Sequence, residues 1–182
     1  MALTGRLLVA TPHLIDPNFV RTVVLICRHD DEGALGLVLN RPTDIPVGEH
    51  LPGWTDVVPE PPVVFVGGPV QPEVAVGLGR RRRASTPPGW TDVFERIGLL
   101  DLGAPAGEAL ATVETVRVFS GYAGWSAGQL DFEAASGDWF VIDATPGDVF
   151  TQGSDGLWRS VLRRQGGNLA FYADFPPDPA LN

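Results

Sequence analysis

No apolar run in this chain outlasts the five residues Val23 to Cys27, and glycine or proline stands close after most such runs. A bilayer-crossing helix needs roughly 20 apolar residues. The chain therefore reads as many short strands and helices, with no membrane span. Proline closes strands because it has no ladder N–H, and glycine turns the chain where φ must be positive.

Leu7 to Ala10 reads as a first strand ended by Thr11-Pro12, and Asp16-Pro17-Asn18-Phe19 as a turn. Thr22 to Arg28 and Ala34 to Asn40 read as a hairpin around His29 to Gly33. A helical turn is expected near Val47 to Leu51. Strands are expected at Val63 to Val66, Val74 to Leu78, Arg96 to Leu100, Val116 to Ser120 and Trp139 to Ile142. Helices are expected over Pro105 to Thr112, from a Ser126 N-cap to Gly137, and over Gly156 to Arg164, where Leu157/Val161 and Trp158/Leu162 stand four residues apart. Runs of strands followed by alternation with helices predict an α/β class: a mixed β-sheet with helices on both faces, a three-layer sandwich. With 182 residues, 44% of them apolar, one domain over 1–182 is expected, with a disordered tail over 176–182.

Several chemistries are closed by composition. All 13 basic residues are arginine, which removes Schiff-base chemistry and the phosphate-binding P-loop. The single cysteine, Cys27, lies in an apolar run and reads as a packed thiol, consistent with a reduced, cytoplasmic setting. No secretory leader is recognised at the N-terminus. A net charge of −9 argues against a general nucleic-acid surface. Arg80, Arg81, Arg82 and Arg83 run against that balance, since without them it would fall to −13. They read either as a solvated loop or as contacts for an acidic or phosphate-rich partner.

Gly124-Trp125-Ser126-Ala127-Gly128 matches the nucleophile-elbow pattern, but His13, His29 and His50 all precede Ser126, so the order serine, acid, histidine cannot be built. Ser126 reads better as a helix cap. Gly77-Leu78-Gly79 begins a dinucleotide fingerprint whose third glycine would fall at Arg82, so it fails. Gly67-Gly68-Pro69 reads as a turn, or as backbone N–H groups offered to an anion. His29 with Asp30, Asp31 and Glu32 reads as an acidic turn, because neighbouring loop residues diverge and a metal needs ligands from separate segments. No catalytic residue, metal ligand or cofactor is assigned.

The ordered set Gly5 to Pro12, Asp16 to Phe19, Arg21 to Val24, His29, Gly33 to Pro42, Gly67 to Val70, Gly121 to Trp125 and Gly128 to Leu130 resembles the AlgH/YqgE family of bacterial proteins. The resemblance implies an α/β fold with a smaller plait-like α+β portion built from the middle of the chain. It carries a transcriptional-regulator label without an established enzymatic activity or cofactor.

Two readings from different classes follow, with a third behind them. The first is a non-enzymatic regulatory or binding protein that takes a small anionic ligand or a protein partner. Its cleft would be formed by Asn40 and Arg41, by Gly67 and Gly68, and by Tyr122 and Trp125, with Arg41 as the fork for an anion and the aromatics as a wall. The second is a regulator acting directly on DNA through Arg80 to Arg83, although no helix-turn-helix pattern accompanies them. A serine hydrolase using Ser126 comes third.

Overall fold

The computed structural model describes residues 2–103 and 106–176. Its strands are β1 Arg6–Ala10, β2 Val23–Asp30, β3 Gly33–Val38, β4 Pro42–Pro46, β5 Val63–Val66, β6 Val70–Arg81, β7 Trp90–Phe94, β8 Ile97–Leu100, β9 Val113–Ser126 and β10 Trp139–Asp143. The helices are α1 Val47–His50, α2 Ala106–Thr112, α3 Gln129–Ser136, α4 Pro146–Val149, α5 Leu157–Gln165 and α6 Gly167–Tyr172. Short 3₁₀ turns fill Pro52–Val57 and Ser154–Gly156. The strands join into one mixed sheet in the order β10-β1-β2-β3-β9-β6-β8-β7, and β4 and β5 attach as a ribbon beside β9. The β5–β9 pair is parallel and the others are antiparallel.

Alternation along the strands places helices on both faces. Leu7 and Val9 of β1 with Val23, Leu25 and Cys27 of β2 enter one core with Trp158, Val161 and Leu162 of α5. Their neighbours Leu8, Ala10, Val24 and Ile26 enter the opposite core with Leu130 of α3. The Trp158 indole N–H donates to the Ala10 carbonyl at 2.9 Å, tying α5 to the end of β1. A third core, built from the middle of the chain, packs Val47, Trp54 and Ala109 on Val116 and Val118. The sheet curls strongly: Gly5, just before β1, lies against Val93 and Phe94 of β7 at the far end.

The strand expected to stop at Ser120 continues to Ser126 as β9. Gly121 takes φ 67° and turns the strand without ending it, so β9 pairs with β6 from Val113 to Tyr122 and with β3 from Ala123 to Ser126. The following helix accordingly starts later than expected. Gly128, left-handed at φ 73°, occupies its N-cap, and of the expected capping box there remains the Gln129 side-chain oxygen accepting the Ser126 N–H at 3.0 Å. Strands β4 and β7 are not among the expected elements: β4 begins and ends in proline, and neither alternates cleanly. Pro105 and residues 177–182 of the expected tail lie outside the described residues; the Pro176 carbonyl accepts a hydrogen bond from Arg21.

The bend at Gly121 depends on a backbone crossing. A methyl on Gly67 would overlap the Gly121 carbonyl oxygen, one on Gly68 would overlap the Tyr122–Ala123 peptide, and one on Gly121 would come within 2.7 Å of the Gly68 carbonyl oxygen. Gly67→Ala is therefore expected to cost about 3 kcal/mol in urea unfolding. Gly137→Ala, at a helix end with open space around it, should cost only about 1 kcal/mol.

Candidate functional site

Arg41 follows β3 at the point where the β4–β5 ribbon leaves the sheet. Its Nη2 donates to the carbonyls of Pro17 at 2.9 Å and Val20 at 3.4 Å. Burial pushes its guanidinium below the ordinary arginine range, and Asp16 pulls it partly back. It makes no ion pair among the described residues. A pocket of about 50 Å³ opens beside it, lined by Asn18, Val38, Arg41, Val66, Gly68 and Pro69. Three of the segments that carry the sequence resemblance meet here: the Asp16–Phe19 turn, the Asn40-Arg41-Pro42 turn and the Gly67-Gly68-Pro69 turn.

The other nominated residues serve elsewhere. Asn40 accepts the Val23 N–H and donates to the Arg21 carbonyl, both at 2.9 Å, so its amide pins the start of β2. Gly67 stands in the crossing with β9, its N–H held by the Ser120 carbonyl at 2.9 Å. Tyr122 and Trp125 lie in β9 and not on a loop, on opposite faces of the strand. Trp125 is buried, stacked on Phe19 at 6.1 Å and edge-on to Trp139 at 6.3 Å. Glu133 binds both indole N–H groups, at 2.9 and 3.0 Å. Buried tryptophans need such an acceptor. The loop between Asp16 and Val20 meets both, with Phe19 against Trp125 and the Pro17 and Val20 carbonyls on Arg41.

A larger cleft, about 350 Å³, lies between β4–α1 and β6 and is walled mainly by apolar side chains. Ile45, Leu51, Val64, Val74 and Val118 contribute, with His50 and Glu73 as its ionisable groups. Its far wall is a bulge in β6. Between the Val70–Tyr122 and Ala75–Ser120 pairs the ladder slips, Gln71 takes the left-handed φ of 47°, and the Ser120 hydroxyl donates to the Pro72 carbonyl. No spacing pattern could have revealed this cleft, since its lining comes from five separate segments.

The arginine run is divided by the fold. Arg80 sits 3.8 Å from Glu114 and lies over the Phe150 ring, while Arg81 meets Asp92 at 3.4 Å. Arg82 and Arg83 follow the end of β6 and make no side-chain ion pair among the described residues. Ser126 donates to Gln129 at 3.1 Å. His29 lines a pocket with Gly128, two residues beyond Ser126. Its Nδ1 accepts the Leu3 N–H at 3.2 Å and its Nε2 faces Asp131 at 3.5 Å, so neither nitrogen is left to take a proton from the serine. Asp30 accepts the Glu32 N–H and meets Arg28 at 3.3 Å, as a solvated turn does. Among the described residues no three His, Cys, Asp or Glu side chains gather to hold an ion.

Arg117 is a buried cation that sequence reasoning could not find. It is 1% exposed, lies 4.4 Å over the Phe65 ring, and donates to the Thr151 and Glu60 carbonyls at 2.9 and 3.0 Å. Its Nε is buried and has no hydrogen-bond partner among the described residues. Burial alone pulls its pKa down to about 10. The thiol of Cys27 is likewise pushed up by burial, which leaves it inert at neutral pH.

Comparison with known proteins gives a consistent picture. The profile of a family described as AlgH-like matches residues 7–170. A Streptomyces coelicolor UPF0301 protein is 51% identical over all of this chain and 96% of its own length, and one from Thermobifida fusca is 47% identical with the same coverage. The crystal structure of a Corynebacterium diphtheriae protein superposes with a TM-score of 0.88 at 34% identity, covering 94% of this chain and 91% of that one. The solution structure of AlgH from Pseudomonas aeruginosa gives 0.73 at 28% identity, covering 97% and 95%.

Arg117→Met should lose about 2 kcal/mol at neutral pH, because two carbonyls lose their donor. The sign of its pH dependence is set by the lowered pKa. From about 10 up to the ordinary arginine range the unfolded chain holds the proton more firmly, so the wild type gains stability relative to the variant as pH rises through that window. Urea midpoints of the two proteins measured side by side check both statements. Ser126→Ala is expected to match the wild type in a broad esterase screen, and a rate lost in the variant would restore the hydrolase reading.

Proposed function

We propose that this chain, which belongs to the AlgH-like family, is a non-enzymatic binding protein that holds a small, largely apolar molecule in the cleft beside the β6 bulge. The cleft itself carries the reading: about 350 Å³ of mainly apolar space falls within the range that small-molecule sites occupy. Ile45 and Val74 at its lips are left 44% and 39% exposed, and a bound apolar group would cover them. Gln71, left-handed at φ 47°, stands just before the wall residues Pro72 to Ala75 in a strained conformation of the kind that collects at binding sites.

An added peptide strand fits less well. Edge strand β4 begins and ends in proline, and the Ile45 N–H is turned back onto the Thr43 hydroxyl at 3.2 Å, so the edge offers few donors for pairing. Direct DNA binding is also less well supported, since two of the four arginines in the run are already paired with carboxylates and the overall charge is −9.

Titration with neutral octanol, followed by methyl NMR shifts, tests the reading. Shifts should concentrate on Ile45, Val64, Val74 and Val118. Val74→Asp, at a lip 39% exposed, should weaken binding at least about tenfold. A titration that leaves those methyls unmoved overturns the proposal.

A further inference from the structure

We infer that the molecule held in the cleft is an aliphatic carboxylate whose charged end lies at Arg41; this rests on the cleft reading above. Val64 and Val66 stand two residues apart on β5 and face the same side, about 7 Å from one another. Val64 walls the cleft and Val66, still 38% exposed, lines the pocket at Arg41. An extended chain laid over these two valines runs from apolar walls to a guanidinium.

The charge at that end is uncommitted. Seven of the 13 arginines meet a carboxylate among the described residues, while Arg21, Arg117 and Arg159 donate to carbonyls. Arg41 has carbonyls too. Only its Nη2 is engaged, and Asp16, the acid nearest in effect, is not within ion-pair distance and already accepts the Asn18 N–H at 2.8 Å. Nε and Nη1 of Arg41 make no hydrogen bond among the described residues, nor does the N–H of Gly68, which lines the same pocket. A guanidinium fork with a neighbouring N–H matches the two oxygens of a carboxylate. The small volume there, about 50 Å³, admits such a group and little more.

Calorimetric titration of the full chain with octanoate, octanol and acetate separates the possibilities. Octanoate should bind at least about tenfold tighter than either octanol or acetate, and Arg41→Gln should remove its advantage over octanol while leaving octanol unchanged. In the wild type, octanoate but not octanol should move the Gly68 amide and Arg41 Nε resonances, a readout that does not depend on how the variant folds. Equal binding of octanoate and octanol, with those resonances still, overturns the carboxylate assignment and leaves the cleft standing. Failure of both eight-carbon probes overturns the cleft reading and this inference together.

Discussion

The fold turns on one backbone contact, where Gly67 and Gly68 press against Gly121 and the Tyr122–Ala123 peptide with no room for a β-carbon. Strand β9 belongs to both halves of the sheet, and this contact sets the point at which it exchanges β6 for β3. It also fixes the end of the β4–β5 ribbon, since the Gly67 N–H is held by Ser120 and its carbonyl by the Val38 N–H at 2.8 Å. The Arg41 pocket and the apolar cleft both border that ribbon, so their shapes follow from how closely two backbones approach.

The core on the α5 face shows how much the curl achieves. Residues from eight strands, among them Leu7, Leu25, Phe65, Leu78, Ile97 and Phe119, enter one cluster, which a flat sheet of this width could not bring together. Arg117 sits at the margin of that cluster and makes no ion pair among the described residues. Two carbonyls and the face of Phe65 replace the solvent it has lost, and its lowered pKa records that the replacement is incomplete.

Strand positions were legible because apolar residues at period two, bounded by Gly and Pro, leave few alternatives; β5 falls on the expected residues Val63–Val66, and α5 lies within one residue of its expected span. What could not be read was the difference between a glycine that ends a strand and one that bends it. Read from sequence, Gly121 ends a strand at Ser120 and leaves Tyr122 and Trp125 on a loop, whereas in the structure both lie within β9. Arg41 and Gly68 were legible as neighbours through their turns. The apolar cleft was not, because Ile45, Val64, Val74 and Val118 share no spacing and are brought together by a bulge whose strained residue, Gln71, carries no signature in the sequence.

The three open margins of the sheet are each blunted in a different way. Prolines bracket β4, the turn at Gly5 lies against β7, and the Arg6 and Arg164 side chains occupy the Ile142 and Asp143 carbonyls of β10. Unpaired margins are where one copy of a β-rich protein templates the next. In a sheet of ten strands with aliphatic side chains such as Ile45 and Val74 left exposed, blunting these margins works against fibrillar self-association.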